Sequence, residues 1–227
     1  MKKTLGSHIF EDVPITSMAV VLTLFAIFQL QHRSVFPDDW FPSQFAISSF
    51  MILFCVWILS EIINFLFSRK NSQTTNKDKG SCWIIIAMAW SVLFIAFTLR
   101  GFGIGIFGGS LQYAGLVLLA VGTILREWSI WVLGKHFTGQ VQVREKAKLV
   151  TNGPYRYIRH PSYTGGMLSL IGITLAVGTW FGALVAFVLS LIAYQYRIYI
   201  EEEALQEAFG SEYEEYRNRT YKLFPGF

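Results

Sequence analysis

The amino-acid sequence predicts an all-α integral membrane protein, and its composition and charge distribution are the two observations that predict it. Of the 227 residues, 53% are hydrophobic and only 15% are charged, whereas charged residues make up about a quarter of a typical soluble domain. The charged residues are also gathered into short segments. Between these segments lie apolar runs close to the roughly 20 residues that a transmembrane helix requires.

Six apolar runs predict about six transmembrane helices. In chain order these spans are Val13–Leu30, Phe45–Phe67, Cys82–Leu99, Leu111–Leu133, Tyr163–Val177 and Phe181–Tyr199. Only the three residues Gly178–Trp180 separate the last two spans, which predicts a tight helical hairpin. Apolar side chains then recur at helical spacing over Glu201–Thr220, which predicts a C-terminal cytoplasmic helix at the membrane interface.

The basic residues predict the orientation of these helices. They concentrate in two loops, Ser68–Gly80 and Gly134–His160, and six spans place both loops and both termini on one side, which by the positive-inside rule is the cytoplasm. The net charge of +4 therefore reflects topology. We expect a lipid bilayer as partner, in a prokaryotic inner or plasma membrane, and no nucleic acid. Cys55 and Cys82 lack metal-ligand spacing, so no metal is expected.

We expect two regions with different roles. Residues 1–110 provide the first three spans, joined by links that carry no recognisable motif, and Lys70–Gly80 is expected to be a flexible, solvated linker. Residues 111–227 place polar and charged side chains at helix ends and in the loop that follows the fourth span. The second region is therefore the expected functional region.

A polar segment before the fifth span contains the candidate site. Pro161 favours the first turn of that helix, so His160 stands at a helix N-terminus with its partial positive charge. Arg197 and Glu201 are four residues apart and share one helix face. Because the hairpin returns the end of the sixth span to the start of the fifth, His160, Tyr163, Arg197 and Glu201 are expected at one membrane depth, where they could bind a charged ligand.

Other polar residues inside the predicted spans are open to more than one interpretation. Arg126 lies near the cytoplasmic end of the fourth span, and a charge within a membrane is costly without a partner. It could form an internal ion pair or line the site. Glu61 and Asn64, one turn apart in the second span, are more typical of snorkelling or of a hydrogen bond between packed helices.

Five segments of the second region, taken together and in order, form a specific pattern. The segments are Leu149–Tyr155, Arg159–Gly165, Arg197 with Glu201 and Glu202, Phe209–Tyr213 and Leu223–Pro225. This pattern resembles the isoprenylcysteine carboxyl methyltransferase family and its wider relatives, the phospholipid methyltransferases, and Arg126 with Leu133 and Gly134 resembles the bacterial-type branch. The resemblance covers roughly residues 122–227.

The resemblance implies an integral membrane enzyme that binds S-adenosylmethionine without a Rossmann domain. It implies that Glu201 holds the amino group of this cofactor, and that Arg197 is the catalytic residue that orients the methyl acceptor, with Arg126 also on the substrate side. The further cofactor contacts that it implies are Gln142, which aligns only with a short gap, and Lys148, Leu149, Val150, Tyr155, His160, Pro161, Ser162 and Tyr163.

The acceptor stays open at this stage, as a lipophilic small molecule or a prenylated substrate. A carboxylate acceptor, with a pKa of about 4, needs no general base at neutral pH, whereas a thiol or an amine would have to lose a proton to a group that the sequence does not identify. Two other functions are compatible with the sequence. One is a membrane reductase of sterol-like double bonds with a nicotinamide cofactor, and the other is a non-catalytic transporter or scaffold.

Overall fold

Helices make up the regular secondary structure of the described residues, which are 40–71, 78–138 and 148–226 of the computed structural model. The helices are α1 (Gln44–Asn71), α2 (Ser81–Gly101), α3 (Ser110–Leu133), α4 (Pro161–Val177), α5 (Trp180–Phe209) and α6 (Ser211–Asn218), with short 3₁₀ turns at Gly134–His136 and Gly153–Arg156. The described residues from Phe41 onward form one compact unit. The predicted all-helical class is confirmed for this part of the chain.

Four of these helices are long and apolar enough to cross a membrane, namely α1, α2, α3 and α5. They correspond to the second, third, fourth and sixth predicted spans. Helix α4 is apolar but has only 17 residues, about 25 Å at 1.5 Å per residue. The first predicted span, Val13–Leu30, lies outside the described residues. The six-span count therefore stays a prediction.

The outward faces of the long helices are strongly apolar. Ile63 on α1, Trp131 on α3 and Ile192 on α5 are 63%, 80% and 64% exposed, respectively. Soluble proteins rarely expose contiguous apolar surface on this scale. Hydrocarbon can cover these faces because each helix satisfies its own backbone hydrogen bonds. The fold is therefore that of an integral membrane protein.

Helix α4 lies at the centre of the unit, with thirteen of its seventeen residues buried, and it packs against α3 through glycines. A Cβ atom added to Gly172 would lie 2.3 Å from the backbone nitrogen of Leu119, and one added to Gly122 would lie 2.5 Å from that of Ser169. No side chain fits in either space, so glycine permits the close approach of the two backbones. This packing fixes the position of α4 and of the polar segment at its start.

Hydrogen bonds at the end of α4 and at the start of α5 stabilise the turn between these two helices. Gly178 takes a left-handed conformation with φ of 87°, which a glycine adopts without steric cost. The side-chain amide of Gln112 donates to the carbonyl oxygen of Ala176 at 3.0 Å, and Thr179 caps α5 by accepting from the Gly182 N–H at 3.2 Å. Only two residues, Gly178 and Thr179, therefore separate α4 from α5.

The predicted helix over Glu201–Thr220 has a different boundary in the structure. Helix α5 continues without a break through Glu201–Glu203 to Phe209, and only Gly210, with φ of 54°, separates it from α6. The reason is that Glu, Ala, Leu and Gln favour helix strongly, so the chain meets no stop signal before a glycine. Arg197 and Glu201 therefore lie well inside one continuous helix.

We predict that Gly172→Ala destabilises the protein by about 1–3 kcal/mol, because the added methyl group must push apart two backbones. Gly101→Ala is the matched control, since a Cβ atom there meets nothing within 4 Å. Unfolding in mixed micelles with increasing denaturing detergent measures both variants. Equal midpoints for Gly172→Ala and wild type would contradict the packing account.

Candidate active site

A buried arginine on α5 is the centre of a polar cluster. Arg197 is 3% exposed, and its Nε donates to the Glu201 carboxylate at 3.0 Å and to the Tyr163 hydroxyl at 3.1 Å. Its Nη1 donates to the Asp78 carboxylate and, at 2.7 Å, to the Ser81 hydroxyl. A guanidinium removed from water requires this compensation of its charge and of its hydrogen-bonding capacity.

Asp78 belongs to the segment before α2 that was predicted to be the end of a solvated linker, and Ser81 is the first residue of α2. In the structure Asp78 is buried, and it accepts hydrogen bonds from the Ser81 hydroxyl at 3.1 Å and from the Cys82 N–H at 3.2 Å. The linker interpretation is therefore wrong for Asp78. Asp78 lies two residues before Gly80, the N-cap residue of α2, and it accepts from one of the free N–H groups of the first helical turn. No local sequence motif marks an acidic residue at this position.

The Glu201 carboxylate joins the start of α4 to the second half of α5. Its Oε1 accepts hydrogen bonds from the Tyr163 hydroxyl and from Arg197, while its Oε2 lies 3.5 Å from Nδ1 of His160. The structure thus brings together four residues that the sequence analysis expected at one depth, His160, Tyr163, Arg197 and Glu201. An ionised carboxylate has about four lone-pair sites, so Glu201 can bind a further cationic group.

Aromatic rings stack beside this carboxylate. The His160 and Tyr163 ring centroids are 5.8 Å apart with planes inclined by 11°, and those of Tyr163 and Tyr194 are 5.0 Å apart with planes inclined by 17°. Tyrosine faces attract cations. Tyr194 was missed by the sequence analysis because it lies within an apolar run and no local motif marks it.

His160 connects two adjacent carboxylates. Its Nε2 is 3.2 Å from Glu202 and its Nδ1 is 3.5 Å from Glu201. Burial by itself lowers the pKa of His160, but the hydrogen bonds and negative charges of Glu201 and Glu202 outweigh burial and raise this pKa above its usual value. Glu202 also binds Arg159, whose Nε lies 3.0 Å away. The cluster therefore favours the imidazolium form, which can donate to both carboxylates.

The C-terminal tail, residues 219–226 after α6, pairs with the residues that lead into α4, which we call the entrance to α4. The N–H groups of Arg159 and His160 donate to the carbonyl oxygens of Tyr221 and Lys222 at 2.8 and 3.2 Å. The Thr164 hydroxyl donates to the carbonyl oxygen of Leu223 at 2.7 Å. Two backbone donors beside this helix N-terminus are therefore used within the protein.

The other expected cofactor contacts occupy the path into α4. Pro161 and Ser162 are the first two residues of that helix, and both are buried. Tyr155 is buried in the preceding 3₁₀ turn, and its carbonyl oxygen accepts from the Tyr216 hydroxyl at 2.7 Å. Lys148, Leu149 and Val150 are partly or fully exposed in the extended chain before this turn. Gln142 lies outside the described residues.

Arg126 forms the internal ion pair that was one of its two possible roles. Its Nη2 donates to Glu61 at 2.8 Å, and its Nη1 donates to the carbonyl oxygen of Ser162 at 3.2 Å. The side-chain amide of Asn64 donates to Glu127 at 2.7 Å, so the interpretation of Glu61 and Asn64 as helix-packing residues is confirmed. A contact between Arg126 and an acceptor stays a prediction.

The sequence from α3 to α6 matches a known family. Residues 111–212 match the phospholipid methyltransferase family. Among curated proteins, a probable protein-S-isoprenylcysteine O-methyltransferase of Oryza sativa subsp. indica is 33% identical over 117 residues, which are 50% of this chain and 61% of that protein. Protein-S-isoprenylcysteine O-methyltransferase B of Arabidopsis thaliana is 36% identical over 108 residues, which are 47% of this chain and 55% of that protein.

The fold is also that of a solved membrane methyltransferase. The eukaryotic intramembrane Ras methyltransferase ICMT superposes with a TM-score of 0.59 and 21% sequence identity, over 97% of this chain and 82% of that one. This protein therefore has the fold of the helical membrane methyltransferases. The predicted resemblance to the isoprenylcysteine carboxyl methyltransferase family is confirmed by the curated relatives, and this chain spans 61% and 55% of the length of the two relatives named above.

We predict that His160 makes stability depend on pH. Because its pKa is raised in the folded protein, the protonated ring stabilises the fold fully below the unfolded pKa of about 6.5. That contribution is lost as the pH rises through the folded pKa. The Tm difference between wild type and His160→Gln should therefore be largest in mildly acidic buffer and shrink towards alkaline buffer. A pH-independent difference would show that His160 does not titrate in this way.

Proposed function

We propose that this protein is an S-adenosylmethionine-dependent methyltransferase that acts on a lipophilic acceptor at the membrane interface. The observation that carries the proposal is the convergence of Glu201, Tyr163, His160 and Arg197 where α4 begins, within the region that matches methyltransferases. The relatives named above are O-methyltransferases of isoprenylcysteine. We accordingly propose a carboxylate of an isoprenylcysteine-like compound as the acceptor.

The residues of the cluster fit the charges of this cofactor. S-adenosylmethionine supplies an electrophilic methyl group on a sulfonium cation, and it also carries an ammonium and a carboxylate. Glu201 would hold the ammonium group, and the stacked faces of Tyr163 and Tyr194 suit a cation. His160, as an imidazolium, would bring a positive charge near the carboxylate of the cofactor. Gln142, Lys148–Val150, Tyr155, Pro161 and Ser162 remain the proposed further contacts.

Arg197 would orient the acceptor carboxylate, and burial would strengthen this interaction. A carboxylate is already ionised at neutral pH, so none of these residues has to remove a proton from it. Arg197 and Tyr163 lie away from bulk water, and electrostatic interactions gain strength where water is excluded. Positioning of the two reactants is then the principal task of the protein.

The proposal includes a topology in which six spans place the basic loops, both termini and the site in the cytoplasm. The short turn at Gly178 and Thr179 supports the arrangement of α4 and α5 as a hairpin, and the contact between Tyr163 at the start of α4 and Glu201 in the second half of α5 agrees with it. Residues 111–227 would form the catalytic region. The contact of Asp78 with Arg197 indicates that the first region also contributes to it.

We predict that Glu201→Gln weakens S-adenosylmethionine binding about 10- to 100-fold, because a hydrogen bond to a charged group is worth roughly 1.5–3 kcal/mol. Isothermal titration calorimetry of the purified protein with S-adenosylmethionine and S-adenosylhomocysteine measures this. Glu203→Gln is the matched control, since Glu203 lies two residues away on the same helix with its side chain 57% exposed. Absence of saturable heat from wild type with both ligands would rule out the proposed function.

We predict a different result for Arg197→Ala. Methyl transfer should fall by about 100-fold or more, because the acceptor loses its orienting group, while affinity for S-adenosylmethionine should change far less. Transfer of labelled methyl groups to N-acetyl-S-farnesylcysteine measures turnover, and calorimetry measures binding. An equal loss of turnover and binding would contradict the role of Arg197 at the acceptor.

A further inference from the structure

Two residues at the start of α2 contact Arg197, the arginine of the proposed reaction site. Asp78 and the Ser81 hydroxyl both accept hydrogen bonds from Nη1 of Arg197, 119 and 116 positions away in sequence. Glu201 accepts from Nε of the same guanidinium. Two carboxylates from different parts of the chain therefore hold different nitrogens of one planar group, which restricts its rotation.

Asp78 is itself held in place. One of its oxygens accepts from the Ser81 hydroxyl at 3.1 Å and the other from the Cys82 N–H at 3.2 Å. The adjacent residue is tied to α5 twice, because Lys79 Nζ is 3.0 Å from Glu203 and the Lys79 carbonyl oxygen accepts from the Tyr196 hydroxyl at 3.3 Å. The contacts with Ser81 and Cys82 hold the Asp78 carboxylate in place, so this carboxylate can in turn hold the guanidinium of Arg197.

We propose that Asp78, together with Ser81, is a positioning residue that sets the orientation of Arg197 towards the methyl acceptor. This inference rests on the proposed function. It gives Asp78 and Ser81, at the start of α2, a direct part in the reaction site, although both residues lie outside the region that matches the methyltransferase family. An alternative role, in which Asp78 occupies the place of the acceptor carboxylate and must withdraw, conflicts with the contacts that hold Asp78.

Asp78→Asn separates positioning from helix capping. The side-chain oxygen of asparagine can still accept from the Cys82 N–H, so the substitution keeps this contact at the start of α2, but it removes the negative charge that holds Arg197. We expect the turnover number with N-acetyl-S-farnesylcysteine, at saturating S-adenosylmethionine, to fall about 10- to 100-fold. We expect the dissociation constant of S-adenosylmethionine to change less than about threefold. Unchanged turnover would show that Asp78 only caps α2, and increased turnover would show that it blocks the acceptor site.

Two further variants serve as controls. Lys79→Met removes only an exposed ion pair, which contributes little, and it keeps the Asp78 carboxylate with its contacts to Ser81 and Cys82, so it should lower turnover far less than Asp78→Asn. Ser81→Ala keeps both charges and deletes one acceptor for Nη1, so it should reduce turnover less than Asp78→Asn, and it still tests the inference should Asp78→Asn fail to fold. In a protein that already carries Arg197→Ala, Asp78→Asn should reduce turnover no further.

A chemical measurement tests the inference without any acceptor. Phenylglyoxal modifies arginine, and mass spectrometry of the peptides reports the rate at each position. Asp78→Asn should let Arg197 react about threefold faster or more, because its hydrogen bonds with Asp78 no longer hold it. Arg126, which pairs with Glu61, should react at its original rate. Equal modification rates of Arg197 in wild type and in Asp78→Asn would overturn the inference. Failure of wild type to methylate N-acetyl-S-farnesylcysteine would count against the proposed acceptor alone.

Discussion

The positive charge of Arg197, taken out of water in the middle of a bundle, is the constraint on which the described structure depends. Breaking a buried ion pair typically costs on the order of 3–5 kcal/mol, because the remaining charge is left uncompensated. The compensating groups come from three places: Asp78 before α2, Tyr163 on α4 and Glu201 on α5. Because the charge and the hydrogen bonds of Arg197 must be compensated, three parts of the chain are aligned with one another, and the candidate site forms where they meet.

The membrane helices could be predicted from the sequence because length and apolarity are local properties. Leu111–Leu133 was predicted as a span, and α3 covers Ser110–Leu133. The boundary after Tyr199 could not be predicted in this way. The chain becomes charged at Glu201 but keeps residues that favour helix, so a change in polarity occurs without a change in secondary structure. Helix ends were predicted better where a glycine or a proline marks them, as at Pro161 and Gly178.

The candidate site was predictable in part, for a related reason. Arg197 and Glu201 share a helix face by their spacing, and the short turn after α4 returns them to Tyr163. Asp78 follows from no such rule, because its partner is 119 positions away and a single sequence contains no signal that pairs them. Tyr194 is one aromatic residue among many in an apolar run. Residue spacing thus identified Arg197, Glu201 and Tyr163, whereas the contacts of Asp78 and Tyr194 became known only from the structure.

The strand-like pairing of the tail with the entrance to α4 has a consequence for biosynthesis. Ile158 pairs with Tyr221, and the N–H of His160 finds its acceptor only at Lys222. A ribosome therefore releases every membrane helix of the described chain before it releases the residues that finish this entrance. The helices can settle in the bilayer first, and the end that contains the candidate site is assembled afterwards, as a late step of maturation on the surface of an already inserted bundle.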